Sequence, residues 1–351
     1  MHMTSTRFAA AALLAASVIF PPSLAAYAAE PSPEMKAVLD KLTELEVKPI
    51  HTLSVPEARS QATPADAAKG VQWEKKISSE PESKVLTRNI SIPTANGALA
   101  ARVYTPSVSP NEALPVVVYF HGGGWVIADI NVYDATPRAL ALGANAIVVS
   151  VEYRHAPEHK FPAAHEDAWN AYTWAVENVH TLNGDASRIA VAGESAGGNL
   201  AANVALMAKK NGTTEPVHQL LVYPVAGNDM NTESYKENAE AKPLGKADME
   251  WFVKNVFPSM DETKDERLNL VGRTDLADLP PATVITAEID PLRSEGEAYA
   301  AKLKEAGVQV NAKTFPGVTH EFFGMAKVVA GAKEATDMAV ADLKAAFTKK
   351  N

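Results

Sequence analysis

From residue 115 onward, short apolar runs of strand type alternate with longer stretches of helical period, and that alternation leaves few architectures open. The runs are Pro115–Phe120, Ala146–Val151, Ile189–Ala192, Gln219–Tyr223, Thr283–Ala287 and Val308–Thr314. Helical patterns begin near Asp134, His165, Ser195 and Ser294, and a last one fills Phe322–Phe347. Strands apolar on both faces must be covered on both faces, and helical crossovers between parallel strands supply that cover. Two further runs, Val85–Ile92 and Ala100–Tyr104, come first, and the Asn96-Gly97 pair between them is a hairpin signal that makes them antiparallel. The reading is an α/β fold with a mostly parallel sheet of about eight strands flanked by helices.

Two stretches fall outside this series. Residues 29–84 read as an N-terminal arm. There Glu34–Leu45 sets Met35, Val38, Leu39, Leu42 and Leu45 at helical spacing, after which Pro49, Pro56 and Pro64 punctuate a poorly periodic segment. Residues 225–280 interrupt residues 85–351, otherwise one catalytic domain, with polar, aromatic and proline-broken sequence and a short helix around Trp251-Phe252-Val253. An insertion at the C-terminal edge of a parallel sheet lies over the place where ligands bind, so it reads as a cap to which the arm contributes.

Ahead of the arm, Arg7 precedes the 13-residue apolar run Phe8–Phe20, then Pro21-Pro22 and Ala26-Tyr27-Ala28. This is the layout of a secretory signal peptide cleaved after Ala28, and the run is too short for the roughly 20 residues of a membrane span. The mature chain is expected in the periplasm or the medium, without a stable membrane span. Its composition narrows the chemistry. With 33 Lys and Arg against 42 Asp and Glu, the net charge of −9 argues against nucleic acid and against a polybasic membrane patch. No cysteine is present, which excludes disulfides, thiolate nucleophiles and Cys-built metal sites.

The nucleophile is therefore sought elsewhere. Gly193-Glu194-Ser195-Ala196-Gly197-Gly198 follows one predicted strand and opens one predicted helix. That context suits a G-x-S-x-G elbow, in which a sharp turn presents Oγ and the start of the helix favours an oxyanion. A plain helix N-cap is the alternative for Ser195. His121-Gly122-Gly123-Gly124-Trp125 follows the strand Pro115–Phe120. Three successive glycines can turn several N–H groups to one point, as a carbonyl oxygen gaining charge requires. No Gly-Lys-Ser/Thr follows, which disfavours a phosphate loop. His121 precedes the loop directly, so it reads with Gly122 as support for the loop through side-chain to backbone hydrogen bonds.

His-Gly-Gly-Gly-Trp at 121–125, Gly-Glu-Ser-Ala-Gly-Gly-Asn-Leu-Ala at 193–201 and, between them, Tyr153-Arg154-His155-Ala156-Pro157-Glu158 through Ala164 closely resemble the hormone-sensitive-lipase-like family of α/β-hydrolase esterases over about residues 85–345. His155 stands where that family usually carries Leu, and Glu194 where Asp or Thr is commoner. The resemblance implies the alpha/beta-hydrolase fold with a helical cap, and a serine carboxylesterase for short- to medium-chain acyl esters. In such folds the triad runs serine, acid, histidine along the chain. It places Ser195 as nucleophile, His320 in Gly317-Val318-Thr319-His320 as base, and Asp290 in Asp290-Pro291-Leu292-Arg293 as acid, with the oxyanion held by the N–H groups of Gly123, Gly124 and Ala196. His218 stands at the start of a core strand and is expected to be structural. Glu288 and Asp278 are rivals to Asp290.

His155 and His159 have the i, i+4 spacing of a metal pair, but Pro157 between them forbids a regular helix. No metal or organic cofactor is expected, and the partner is a small-molecule ester. Amide hydrolysis or carbohydrate deacetylation on the same triad is the alternative activity. A non-catalytic receptor on this scaffold is the alternative class, against which His320 counts. Trp251, Phe252 and Phe257 either line the acyl pocket or pack the cap. Nothing in the sequence fixes the oligomeric state, a homodimer included.

Overall fold

The computed structural model describes residues 29–95, 97–107 and 112–348 together with His2, so the expected signal peptide lies outside the described residues apart from His2. Its centre is an eight-stranded sheet in the order β1-β2-β4-β3-β5-β6-β7-β8. The strands are β1 (Val85–Thr94), β2 (Gly97–Pro106), β3 (Leu114–Phe120), β4 (Ile147–Glu152), β5 (Gly184–Glu194), β6 (Gln219–Val222), β7 (Ala282–Ile289) and β8 (Val310–Thr319). β1 pairs antiparallel with β2, Thr94 facing Gly97, and β2 antiparallel with β4. The remaining pairs are parallel.

Every residue of β3 is buried, and its side chains alternate between two cores: Val116, Val118 and Phe120 on one face, Val117 and Tyr119 on the other. The first face is covered by α5 (Ala163–Asn178), α6 (Ala196–Asn211) and α9 (Arg293–Glu305), through Tyr172, Leu200 and Leu303. The second is covered by α4 (Ala135–Ala144) and α10 (Ala330–Thr348), through Leu140 and Leu343. Each such side chain contributes roughly 1.5–3 kcal/mol by leaving water.

The arm is more ordered than its sequence suggested. It forms α1 (Pro33–Glu44), α2 (Val55–Ser60) and α3 (Pro64–Glu74). Pro33, Pro56 and Pro64 all sit in first turns, where the missing N–H has no helical partner to lose, so these prolines start helices rather than break the chain. A capping box between Thr63 and Asp66 fixes the start of α3. Met35, Val38 and Leu42 are buried as expected, but Leu45 lies past the end of α1 and is 42% exposed.

Strand ends shift by a few residues throughout, most at β5 and β8, and one helix also differs from expectation. β5 starts at Gly184 and β8 runs on to Thr319. The last helix does not run unbroken from Phe322. A 3-10 turn at Phe323–Met325 precedes α10, because Phe322, Phe323, Met325, Val328 and Val329 are all buried against the end of the sheet and wrap around it irregularly.

The insertion carries α7 (Glu233–Glu237) and α8 (Lys246–Val256). α8 is stitched to the arm: His51 donates from both its backbone N and Nδ1 to Asp248 Oδ1, at 3.0 and 2.8 Å, and Trp251 Nε1 donates to Leu53 O at 3.0 Å. Among the described residues no helix is long and apolar enough to cross a membrane.

Candidate active site

The C-terminal ends of four parallel strands bring the singled-out residues together. His121–Trp125 follows β3, Ser195 follows β5, Asp290 follows β7 and His320 follows β8. Ser195 occupies a strained turn with φ 57° and ψ −119° between β5 and α6. The close approach there demands glycine: a Cβ on Gly197 would lie 2.0 Å from the Phe120 carbonyl oxygen. Ser195 N donates to Val222 O at 2.9 Å, which ties the turn to β6.

His320 Nε2 lies 2.9 Å from Ser195 Oγ, and its Nδ1 lies 2.7 Å from Asp290 Oδ2. Asp290 is fully buried and its other oxygen accepts from Leu292 N at 2.8 Å. The carboxylate therefore fixes the imidazole with Nδ1–H toward the acid and the Nε2 lone pair toward the hydroxyl. Burial pulls the His320 pKa down, but the charge and hydrogen bond of Asp290, with Glu321 and Glu194 beyond, raise it above the ordinary 6.5. The rivals lie elsewhere. Glu288 accepts from Gly317 N at 2.7 Å, and Asp278 precedes β7, at the opposite end of the strand from Asp290. His218 faces Thr283 Oγ1 at 2.8 Å, at the start of β6.

Facing Ser195 across the cavity, the glycine loop takes left-handed backbone at Gly123 (φ 97°) and Gly124 (φ 58°). Among the described residues neither of their N–H groups has a hydrogen-bond acceptor, and Ala196 opens α6, where N–H groups lack helical partners. His121 is wholly buried beneath Gly122: its Nδ1–H donates to Gly122 O at 2.8 Å and its ring stacks on Tyr153 at 4.4 Å.

The site opens into a cavity of about 910 Å³. Leu42 and Ile50 of the arm and Leu244 and Phe252 of the insertion form its walls above Ser195 and His320. Of Trp251, Phe252 and Phe257 only Phe252 lines it, beside Tyr235, whereas Trp251 is held by Leu53 and Phe257 packs on Phe161 at 5.1 Å. His165 bonds Asn199 Oδ1 at 2.9 Å and is held neutral by burial, with a pKa of about 4. His155 turns its ring toward His121 and Tyr153.

Sequence reasoning missed a layer of acids and tyrosines under the site. Glu194 is buried, with Tyr119 donating to it at 2.5 Å and Tyr223 to its other oxygen, and burial pushes its pKa up to about 7. Glu321 accepts from Tyr133 at 2.6 Å, and burial raises it as well. Glu295, raised by burial to about 8, accepts from Ala226 N and Gly227 N at 2.8 and 3.2 Å. For Glu194 and Glu321 the available signal was adjacency to Ser195 and His320, since the chain neighbour of a side chain aimed at the site must point elsewhere, here into the protein.

A family model described as alpha/beta hydrolase fold matches residues 117–324. The carboxylesterase NlhH of Mycobacterium tuberculosis is 45% identical over 252 residues, 71% of this chain and 79% of that protein. The esterase LipI of the same organism is 42% identical over 75% of this chain and 82% of its own. A solved structure of a hyperthermophilic esterase from the archaeon Pyrobaculum calidifontis superposes with a TM-score of 0.81 at 38% identity, covering 90% of this chain and 98% of that one.

Proposed function

The chain belongs to the alpha/beta hydrolase fold family, in its hormone-sensitive-lipase-like branch, and is a carboxylic ester hydrolase; from that premise we propose that it is a serine esterase using Ser195, His320 and Asp290 on short- to medium-chain acyl esters. The observation that carries this reading is the unbroken run from Ser195 Oγ through His320 to Asp290, at 2.9 and 2.7 Å.

The geometry supports the following roles. Ser195 Oγ attacks the carbonyl carbon while its proton passes to His320 Nε2. The carbonyl oxygen gains charge and accepts from the N–H groups of Gly123, Gly124 and Ala196. The bond to the alkoxy oxygen breaks, and the alcohol leaves with the proton from His320. Water then attacks the acyl-serine, losing its proton to His320. The carboxylic acid departs and Ser195 recovers its hydrogen. Asp290 orients the imidazole and stabilises its charged form without taking the proton. The arm and residues 225–280 act as the cap, and the walled cavity favours chains that fit within it. Residues 1–28 direct export to the periplasm or medium.

The test is hydrolysis of p-nitrophenyl esters from acetate to palmitate by the protein and by Ser195→Ala. Turnover of the short esters that disappears in the variant supports the reading. Turnover that survives, or activity confined to amides or sugar acetates, removes it.

A further inference from the structure

We propose that His121, Glu152 and His155 form a three-ligand site for a divalent transition-metal ion such as zinc, set in the cavity wall behind the glycine loop. Glu152 is the last residue of β4, and its Oε1 lies 3.9 Å from His121 Nε2 and 3.8 Å from His155 Nε2. The three ligand atoms all fall within 4.8 Å of one another. Bonds of about 2.0–2.2 Å in a tetrahedral zinc site separate ligand atoms by about 3.3–3.5 Å, a difference that small side-chain rotations close.

The donor chemistry needs a cation. His121 and His155 both bury their Nε2 atoms without a hydrogen-bond partner among the described residues, and the His121 side chain is wholly buried. Because the His121 Nδ1–H is committed to Gly122 O at 2.8 Å, the neutral ring aims its Nε2 lone pair at a carboxylate oxygen. A wholly buried lone pair facing a second acceptor is unfavourable, and an ion between them satisfies both. A backbone carbonyl holding the far ring nitrogen is also how metal-bound histidines are oriented. Glu152 is fixed in the same manner, its Oε2 accepting from Ile130 N at 3.0 Å and leaving Oε1 free for the ion.

Glu152 and His155 line the cavity, which gives the ion its entry path. Two imidazoles and one carboxylate leave a fourth position for water. Such an ion would brace the glycine loop, through His121, against the segment after β4.

The experiment uses the purified protein without a histidine tag, stripped with EDTA, dialysed and titrated with Co²⁺ and with Zn²⁺. The expected result is one Co²⁺ per chain with the visible absorption of a low-coordinate ion, its displacement by Zn²⁺, and a higher Tm with Zn²⁺. His155→Leu, checked for folding by circular dichroism, should weaken binding by more than the 10- to 100-fold typical of changes beyond the ligands themselves, while His159→Ala keeps it. A wild-type protein that takes up neither ion, or a folded His155→Leu that binds like the wild type, overturns the proposal.

Discussion

Replacing Gly124 by alanine tests how the glycine loop and the insertion are fitted together. A Cβ there would lie 2.3 Å from the Phe252 ring. Carbon atoms in contact need about 3.5–4.0 Å, so ring or loop must yield by more than about 1 Å. The left-handed φ of 58° adds about 1–2 kcal/mol for any L side chain. Phe252 is buried on α8, which the arm holds through Asp248 and Trp251, so the loop is the part that moves. A loop peptide displaced by an ångström takes an N–H out of reach of the developing oxyanion. Loss of one such donor costs about 2.7–4 kcal/mol, or 10²- to 10³-fold in kcat. Steady-state hydrolysis of p-nitrophenyl acetate should show that loss, with a lowered Tm. Adding Phe252→Ala removes the collision but not the backbone cost, so the double variant should regain at least about tenfold in kcat. Gly124→Ala with near wild-type kcat, or a double variant no faster than the single one, would refute the reasoning.

Because the base must be neutral, kcat/KM should rise with pH through a midpoint above 6.5, and Asp290→Asn should lower kcat by about 10⁴-fold and move any residual limb downward. Glu295 keeps its proton in the folded state up to about pH 8 but loses it near 4.5 when unfolded, so stability drains as pH rises through that window. Glu295→Gln should therefore raise the calorimetric Tm at pH 8.5, by up to about 5 kcal/mol in stability, and change little at pH 4. Asp248→Ala strands the buried N–H of Gly245 and releases the exposed His51 from α8, costing about 1–3 kcal/mol, and should speed tryptic cleavage at Lys41, Lys48 and Arg59.

What could be read in the sequence was set by local pattern. Runs such as Val116 to Phe120 are apolar on both faces and short, which only a covered central strand explains. Ser195 and His121–Gly124 announced themselves because the backbone there must bend where side chains collide, and such bends select glycine. Helices α2 and α3 of the arm were not legible because proline has two opposite uses, ending a helix or opening one, and the difference lies in the caps at Ser54 and Thr63. The segment 322–329 looked helical since burial on every side imitates any period. The Glu194–Tyr119 pair, 75 positions apart in the chain, has no local signature at all. Neither has the meeting of His121 with His155, which depends on β3 and β4 lying side by side.

Much of the cavity wall is made by residues between 42 and 64 and between 225 and 268, and these stretches contribute no strand to the sheet. The reacting atoms hang instead from strand ends buried on both faces. Form of the pocket and chemistry of turnover are thus largely separate traits, joined where Phe252 meets Gly124. Insertions, deletions or repacking elsewhere in these walls can change which molecules are admitted while the triad stays as it was. A lineage built on this plan can explore new diets by editing its surface, and directed evolution of selectivity has its richest targets there.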